Sequence, residues 1–168
     1  MKFANIFLGN DVEIDPSTSI NNVQIGDNVK ISKRCSVFGG PENILEIGEN
    51  SYVGMNSILN GYAAKVQIGK HVSIAQNVNI MADSGPNASQ VMQNVFPIEQ
   101  GPVAIGDHCW IGASAIIMPG VNLGTYCIVA ANSYVNCSFP DFSIIGGTPA
   151  NLIRSFSEEE IEKLGLND

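Results

Sequence analysis

The chain has 168 residues and carries 8 Lys+Arg against 16 Asp+Glu, a formal net charge of −8. A single domain of this length buries roughly 70% of the surface its unfolded form exposes, so a self-sufficient core is feasible. The acidic balance excludes duplex nucleic acid and an anionic membrane as partners of the surface as a whole, and no apolar run approaches the roughly 18 residues that a spanning helix needs.

The expectation is therefore a soluble, cytoplasmic protein. In that setting the Asn-x-Ser sequons at Asn87 and Asn136 stay unmodified. Four cysteines without a CxxC spacing suggest neither a zinc site nor a disulfide framework.

In chain order, aliphatic residues recur on a six-residue beat: Leu8, Ile14 and Ile20; Ile25, Ile31 and Val37; Ile47, Val53 and Leu59; Ile68, Ile74 and Ile80. An ungapped run follows through Ile105, Ile111, Ile117, Leu123, Val129 and Val135. A period of six fits neither a helix at about 3.6 nor a flat alternating sheet. It fits a coiling chain in which each hexad is a short strand plus a turn and three hexads close one triangular coil. Successive coils then stack about 4.8 Å apart through backbone ladders, with the marked residues piled inward. The predicted fold is all-β, a parallel β-helix of six such coils.

The first hexad of each coil is followed by Gly9, Gly26, Gly48, Gly69, Gly106 and Gly124, and two positions later by Asp11, Asn28, Asn50, His71, His108 and Tyr126. Glycine suits a corner without room for a Cβ, and most of the second set tolerate left-handed backbone. His71 and His108 thus read as surface corner residues. Cys109 and Cys127 fall in the inward slot that Val12, Val29 and Val72 fill in other coils.

Departures from the beat lie at Val37–Ile47, Leu59–Ile68, Ile80–Ile105 and Val135–Ile144, with excesses of four, three, nineteen and three residues. All leave from the corner between the third side and the first, and insertions gathered on one edge of a solenoid commonly mark its working edge. In the longest, Ser84 or Asn87 is expected to cap a short helix with Val91, Met92, Val95 and Phe96 on one face. That stripe needs cover from the prism or from a neighbouring copy. At the far end, "SFSEEEIEKLGLND" predicts a helix with Ser157 as cap, Glu160 completing a capping box and Gly165 as stop. The organisation expected is a β-helix over 1–154, with the loop 81–104 protruding, and a C-terminal helix within 155–168.

Residues 103–154 carry "IGDHCWIG", "PGVNLG", "AANS" at 130–133 and "GGTPA" ahead of a basic residue. With the repeats, these motifs resemble the hexapeptide-repeat acyltransferases, left-handed β-helix enzymes that work as homotrimers. The resemblance implies transfer of acetyl from acetyl-CoA to a hydroxyl or amino group of a sugar or nucleotide-sugar in surface-polysaccharide biosynthesis, with CoA lying between two subunits and no metal. It implies pantetheine contacts at Ala113 and Ala131, with Trp110 and Gly112 beside them, and places the adenosine phosphate end near Asn136 and Arg154.

Similar enzymes place a general-base histidine in the loop after the third hexad. Here residues 81–104 contain no His, and no Lys or Arg occurs between Lys70 and Arg154. Asp83, beside Ser84 and Asn87, is the candidate replacement, since a partly desolvated carboxylate can serve as a base. His108 supplied by a neighbouring subunit is the second candidate, and an amine acceptor that needs little help is a third solution. A γ-class carbonic anhydrase would need three His ligands, and the chain has two His. The alternative outside catalysis is a trimeric scaffold or a decayed acetyltransferase.

Overall fold

The computed structural model describes residues 4–166. The hexads form strands of two to four residues, each too short to stand alone and each held by parallel ladders to the coils before and after it. One strand per coil goes to each of three sheets, so the chain winds a three-sided prism. The first face begins with Ile6–Leu8 and ends with Asn122–Leu123, the second begins with Glu13–Ile14, and the third runs from Ser19–Asn21 to Tyr134–Val135.

The register reproduces the six-residue beat. Leu8, Ile25, Ile47, Ile68, Ile105 and Leu123 are successive partners on the first face. Ile14, Ile31, Val53, Ile74, Ile111 and Val129 are partners on the second, and Ile20, Val37, Leu59, Ile80, Ile117 and Val135 on the third. From Ile25 onward these residues are buried. Leu8, in the first coil, is 50% exposed, and no described residue pairs with it on its outer side. Ser51 stands in an inward slot without loss, since its hydroxyl donates to Gly69 O and accepts from Val72 N–H, both at 3.0 Å.

The corner after the first face is left-handed at Asp11, Asn28, Asn50, His71, His108 and Tyr126, with φ between 53° and 58°. Asp and Asn are among the side chains that tolerate this best. The preceding glycines have a different cause. A Cβ on Gly106 would lie 2.5 Å from the carbonyl carbon of Gly124, so the backbone of the next coil, rather than the local dihedral, requires glycine.

One expected insertion is absent. Phe139 bridges to Leu123 and Ile145 pairs with Val129, so a further coil starts at Phe139 and the connection after Val135 is shortened rather than lengthened. Ile144 points outward against Ile128. At this end of the prism a partly buried aromatic residue takes the place that aliphatic residues hold elsewhere. The other three insertions leave from the third-to-first corner as expected.

Cys109 and Cys127 are buried and free, and their thiols donate to Gly124 O at 3.0 Å and Pro140 O at 3.2 Å. The Cys127 side chain beside it, together with burial, pushes the Cys109 thiol up, which leaves it unreactive. The last strand of the second face, Ser143–Gly147, turns back antiparallel as Ala150–Ser155. The helix Glu158–Lys163 follows, capped by Ser157 with Glu160 closing the capping box, and Gly165 just past it has φ 70°. No helix among the described residues is long and apolar enough to cross a membrane.

Candidate active site

The long loop departs from and returns to a single point. Ala82 is buried, donates its N–H to Asn60 O at 2.9 Å and accepts from Gly101 N–H at 3.0 Å. Asp83–Ser84 then pairs antiparallel with Glu99–Gln100, giving the loop a two-stranded stalk. The ladder fixes the backbone of Asp83 and Ser84, and both side chains are half-buried at the root of the loop. The Asp83 carboxylate accepts a hydrogen bond from Asn60 Nδ2 at 3.1 Å.

Beyond the stalk the helix is one turn, Gln90–Gln93, and its cap is Ser89, whose hydroxyl accepts from Met92 N–H at 3.2 Å. Neither Ser84 nor Asn87 caps it. Ser84 is spent in the stalk, and Asn87 lies in the turn after Pro86, where its N–H donates to Gly85 O at 2.9 Å. Asn87 is exposed, three residues past Ser84, and shares the loop with Asp83 without a hydrogen bond to it among the described residues. The prism does not cover the apolar stripe: Val91 is 76% exposed, and Met92, Val95 and Phe96 are also exposed.

A second feature lies at the corner between the second and third faces. Trp110 points outward from the second face between Ser73 and Ile128 and is 56% exposed. Gly112, Ala113 and Ala131 follow at the turn, where Asn132 N–H donates to Ala113 O at 2.9 Å and ties the two alanines into adjacent coils. A Cβ on Gly112 would lie 2.6 Å from Ala131 N, so this close approach needs glycine. The outcome is a ledge of small side chains beside an exposed indole.

The remaining candidates lie apart. His108 occupies the first-to-second corner, exposed, with its ring stacked 4.7 Å from His71 and 4.7 Å from Tyr126. Asn136 is exposed just past the last strand of the third face, whereas Arg154 lies opposite Ile144 on the hairpin that ends the second face. They share an end of the prism but not a face. Arg154 is also engaged: its guanidinium grips the Glu160 carboxylate at 2.6 and 2.8 Å.

Within one chain the site residues thus divide among three edges. Asp83, Ser84 and Asn87 are on the loop edge, the Trp110–Ala113–Ala131 ledge is one face away, and His108 is on the third edge. Loop and ledge therefore do not meet within one chain. Asn60 escaped the sequence reading because it is an ordinary polar residue at a strand end. Its signal was positional, since it lies one coil before Met81 in the register and opens the insertion beneath the long loop.

A family model for the hexapeptide repeat of succinyl-transferase matches residues 102–137. The galactoside O-acetyltransferase of Escherichia coli is 31% identical over 117 residues, which are 69% of this chain and 56% of that protein. The chain therefore spans little more than half the length of the curated relative it matches. Among solved structures, AntD, an N-acyltransferase from Bacillus cereus in complex with dTDP and 3-hydroxybutyryl-CoA, is similar with a TM-score of 0.79 and 27% identity, covering 94% of this chain and 86% of that one. A hexapeptide-repeat acetyltransferase of Vibrio cholerae O1 biovar eltor complexed with acetyl coenzyme A is similar with a TM-score of 0.62 and 25% identity, covering 84% and 72%. With its hexads in register on three faces and these relatives beside it, the chain belongs to the hexapeptide-repeat acyltransferase family.

Proposed function

We propose that the protein transfers an acyl group, acetyl in the first instance, from acyl-CoA to an amino or hydroxyl group of a sugar or nucleotide-sugar used in surface-polysaccharide synthesis. It does so as a homotrimer, with each site between two copies. The observation that carries this reading is a half-buried carboxylate, Asp83, at the root of the one long loop, in a chain that also has a small-residue ledge at Ala113 and Ala131 on another edge. The binding of CoA and of a nucleotide by structurally similar enzymes supports it.

The chemistry follows from the residues. Pantetheine lies along the ledge beside Trp110, bringing the thioester toward the loop of the neighbouring copy. As the acceptor nitrogen or oxygen bonds to the thioester carbon, Asp83 takes its proton. Backbone N–H groups meet the oxyanion of the tetrahedral intermediate. Collapse breaks the carbon–sulfur bond, and the departing thiolate takes up the proton from Asp83. A positioned base contributes about 10²- to 10⁴-fold, the size of the effect assigned to Asp83. CoA phosphates would draw Arg154 away from Glu160, with Asn136 at the same end of the prism.

Asp83→Asn tests the assignment. Turnover should fall by about 10²- to 10⁴-fold while acetyl-CoA affinity is unchanged. Wild-type turnover would remove Asp83 from the mechanism. A second reading, a non-catalytic trimeric scaffold, is favoured by one observation: the lone arginine near the phosphate end is already paired with Glu160. Failure to bind acetyl-CoA would select that reading.

A further inference from the structure

We propose that Asn60 is a positioning residue for the reaction: it holds the Asp83 carboxylate in the orientation that leaves one oxygen free for the acceptor. The proposal rests on the reading of Asp83 as the base.

Two hydrogen bonds define the arrangement. The side-chain oxygen of Asn60 accepts the N–H of Tyr62 at 3.0 Å, and its Nδ2 donates to Asp83 Oδ1 at 3.1 Å. The first bond decides which end of the amide faces which way. A backbone N–H can only meet the amide oxygen, so the NH2 end must face Asp83. The bond to Tyr62 is local, made within the chain's turn into the insertion at Gly61, and does not depend on the long loop. Asn60 is therefore set before the loop arrives. Its main chain joins the same arrangement, because Asn60 O accepts from Ala82 N–H at 2.9 Å at the point where the loop begins.

The consequence falls on Asp83. With Oδ1 tied to the prism, Oδ2 is the oxygen left for the acceptor. Among the described residues no other side chain hydrogen-bonds to Asp83. A half-buried carboxylate on a two-stranded stalk would otherwise sample several rotamers, and misplacement of a reacting group by about 1 Å can cost about 10²-fold in rate. Asn60 touches neither of the atoms that react; it acts through Asp83.

Asn60→Asp keeps an oxygen for Tyr62 N–H but replaces the NH2 donor with a second carboxylate set against Asp83, whereas Asn60→Ala removes both bonds without adding charge. Each should lower kcat by up to about 10²-fold without changing KM for acetyl-CoA. The decisive measurement is the double variant Asn60→Ala with Asp83→Asn, assayed with acetyl-CoA beside both single variants and with melting temperatures recorded. If Asn60 works through Asp83, the double variant is no slower than Asp83→Asn alone. Multiplying losses would overturn the proposal and assign Asn60 an independent structural role. Full kcat in both Asn60 variants would overturn it while leaving Asp83 as the base. Full kcat in Asp83→Asn would remove the base reading and the positioning role together.

Discussion

Arg154 and Glu160 meet in a two-point ion pair, six residues apart, with guanidinium nitrogens 2.6 and 2.8 Å from the two carboxylate oxygens. Glu160 also accepts the N–H of Ser157 at 2.8 Å, so one side chain closes the helix cap and ties the helix to the final strand.

That arrangement predicts an acid titration. The Arg154 guanidinium and the Ser157 N–H hold the Glu160 carboxyl down from 4.5 to about 2. A carboxyl depressed in the folded state contributes stability that is present above its ordinary value and is lost as pH falls toward 2. Carboxyl-carbon NMR should therefore show Glu160 titrating near pH 2. A midpoint at the ordinary value of 4.5 would mean that the pair does not persist in solution.

The inward columns predict a mid-prism stability effect. Leu59 is fully buried between Val37 and Ile80. Leu59→Ala should destabilise by about 2–5 kcal/mol in urea unfolding, through lost transfer energy and the cavity left behind. A loss near 0.5 kcal/mol, the size of a surface substitution, would contradict the packing.

His108 is expected to be replaceable. It is exposed, its φ is 58°, and its ring is stacked between His71 and Tyr126. Asn fits the same left-handed backbone. His108→Asn should therefore fold and turn over acetyl-CoA at the wild-type rate. A fall of about 10²-fold or more would make His108 from a neighbouring copy the base in place of Asp83.

The six-residue beat made the fold legible because an inward aliphatic column leaves a strict sequence period. All eighteen chosen positions pair in the expected register. The period failed at Phe139, where the open end accepts an aromatic residue and the spacing shortens. Turn and cap chemistry is legible where one geometry competes, as at Ser157 and Glu160, and not in the loop, where Ser84, Asn87 and Ser89 all have capping side chains. The pairing of Asp83–Ser84 with Glu99–Gln100 takes Ser84 out of that choice, and that contact is non-local. The Asn60–Asp83 bond was invisible for the same reason, since its partners are 23 residues apart.

The most direct test of an acyl-CoA site on the Ala113–Ala131 ledge is calorimetric titration of acetyl-CoA into the wild-type protein and into Ala131→Leu. The wild type should bind, and filling the ledge should weaken binding tenfold or more, about 1.4 kcal/mol. No binding by the wild type, or equal affinity in the two proteins, would contradict a CoA site there.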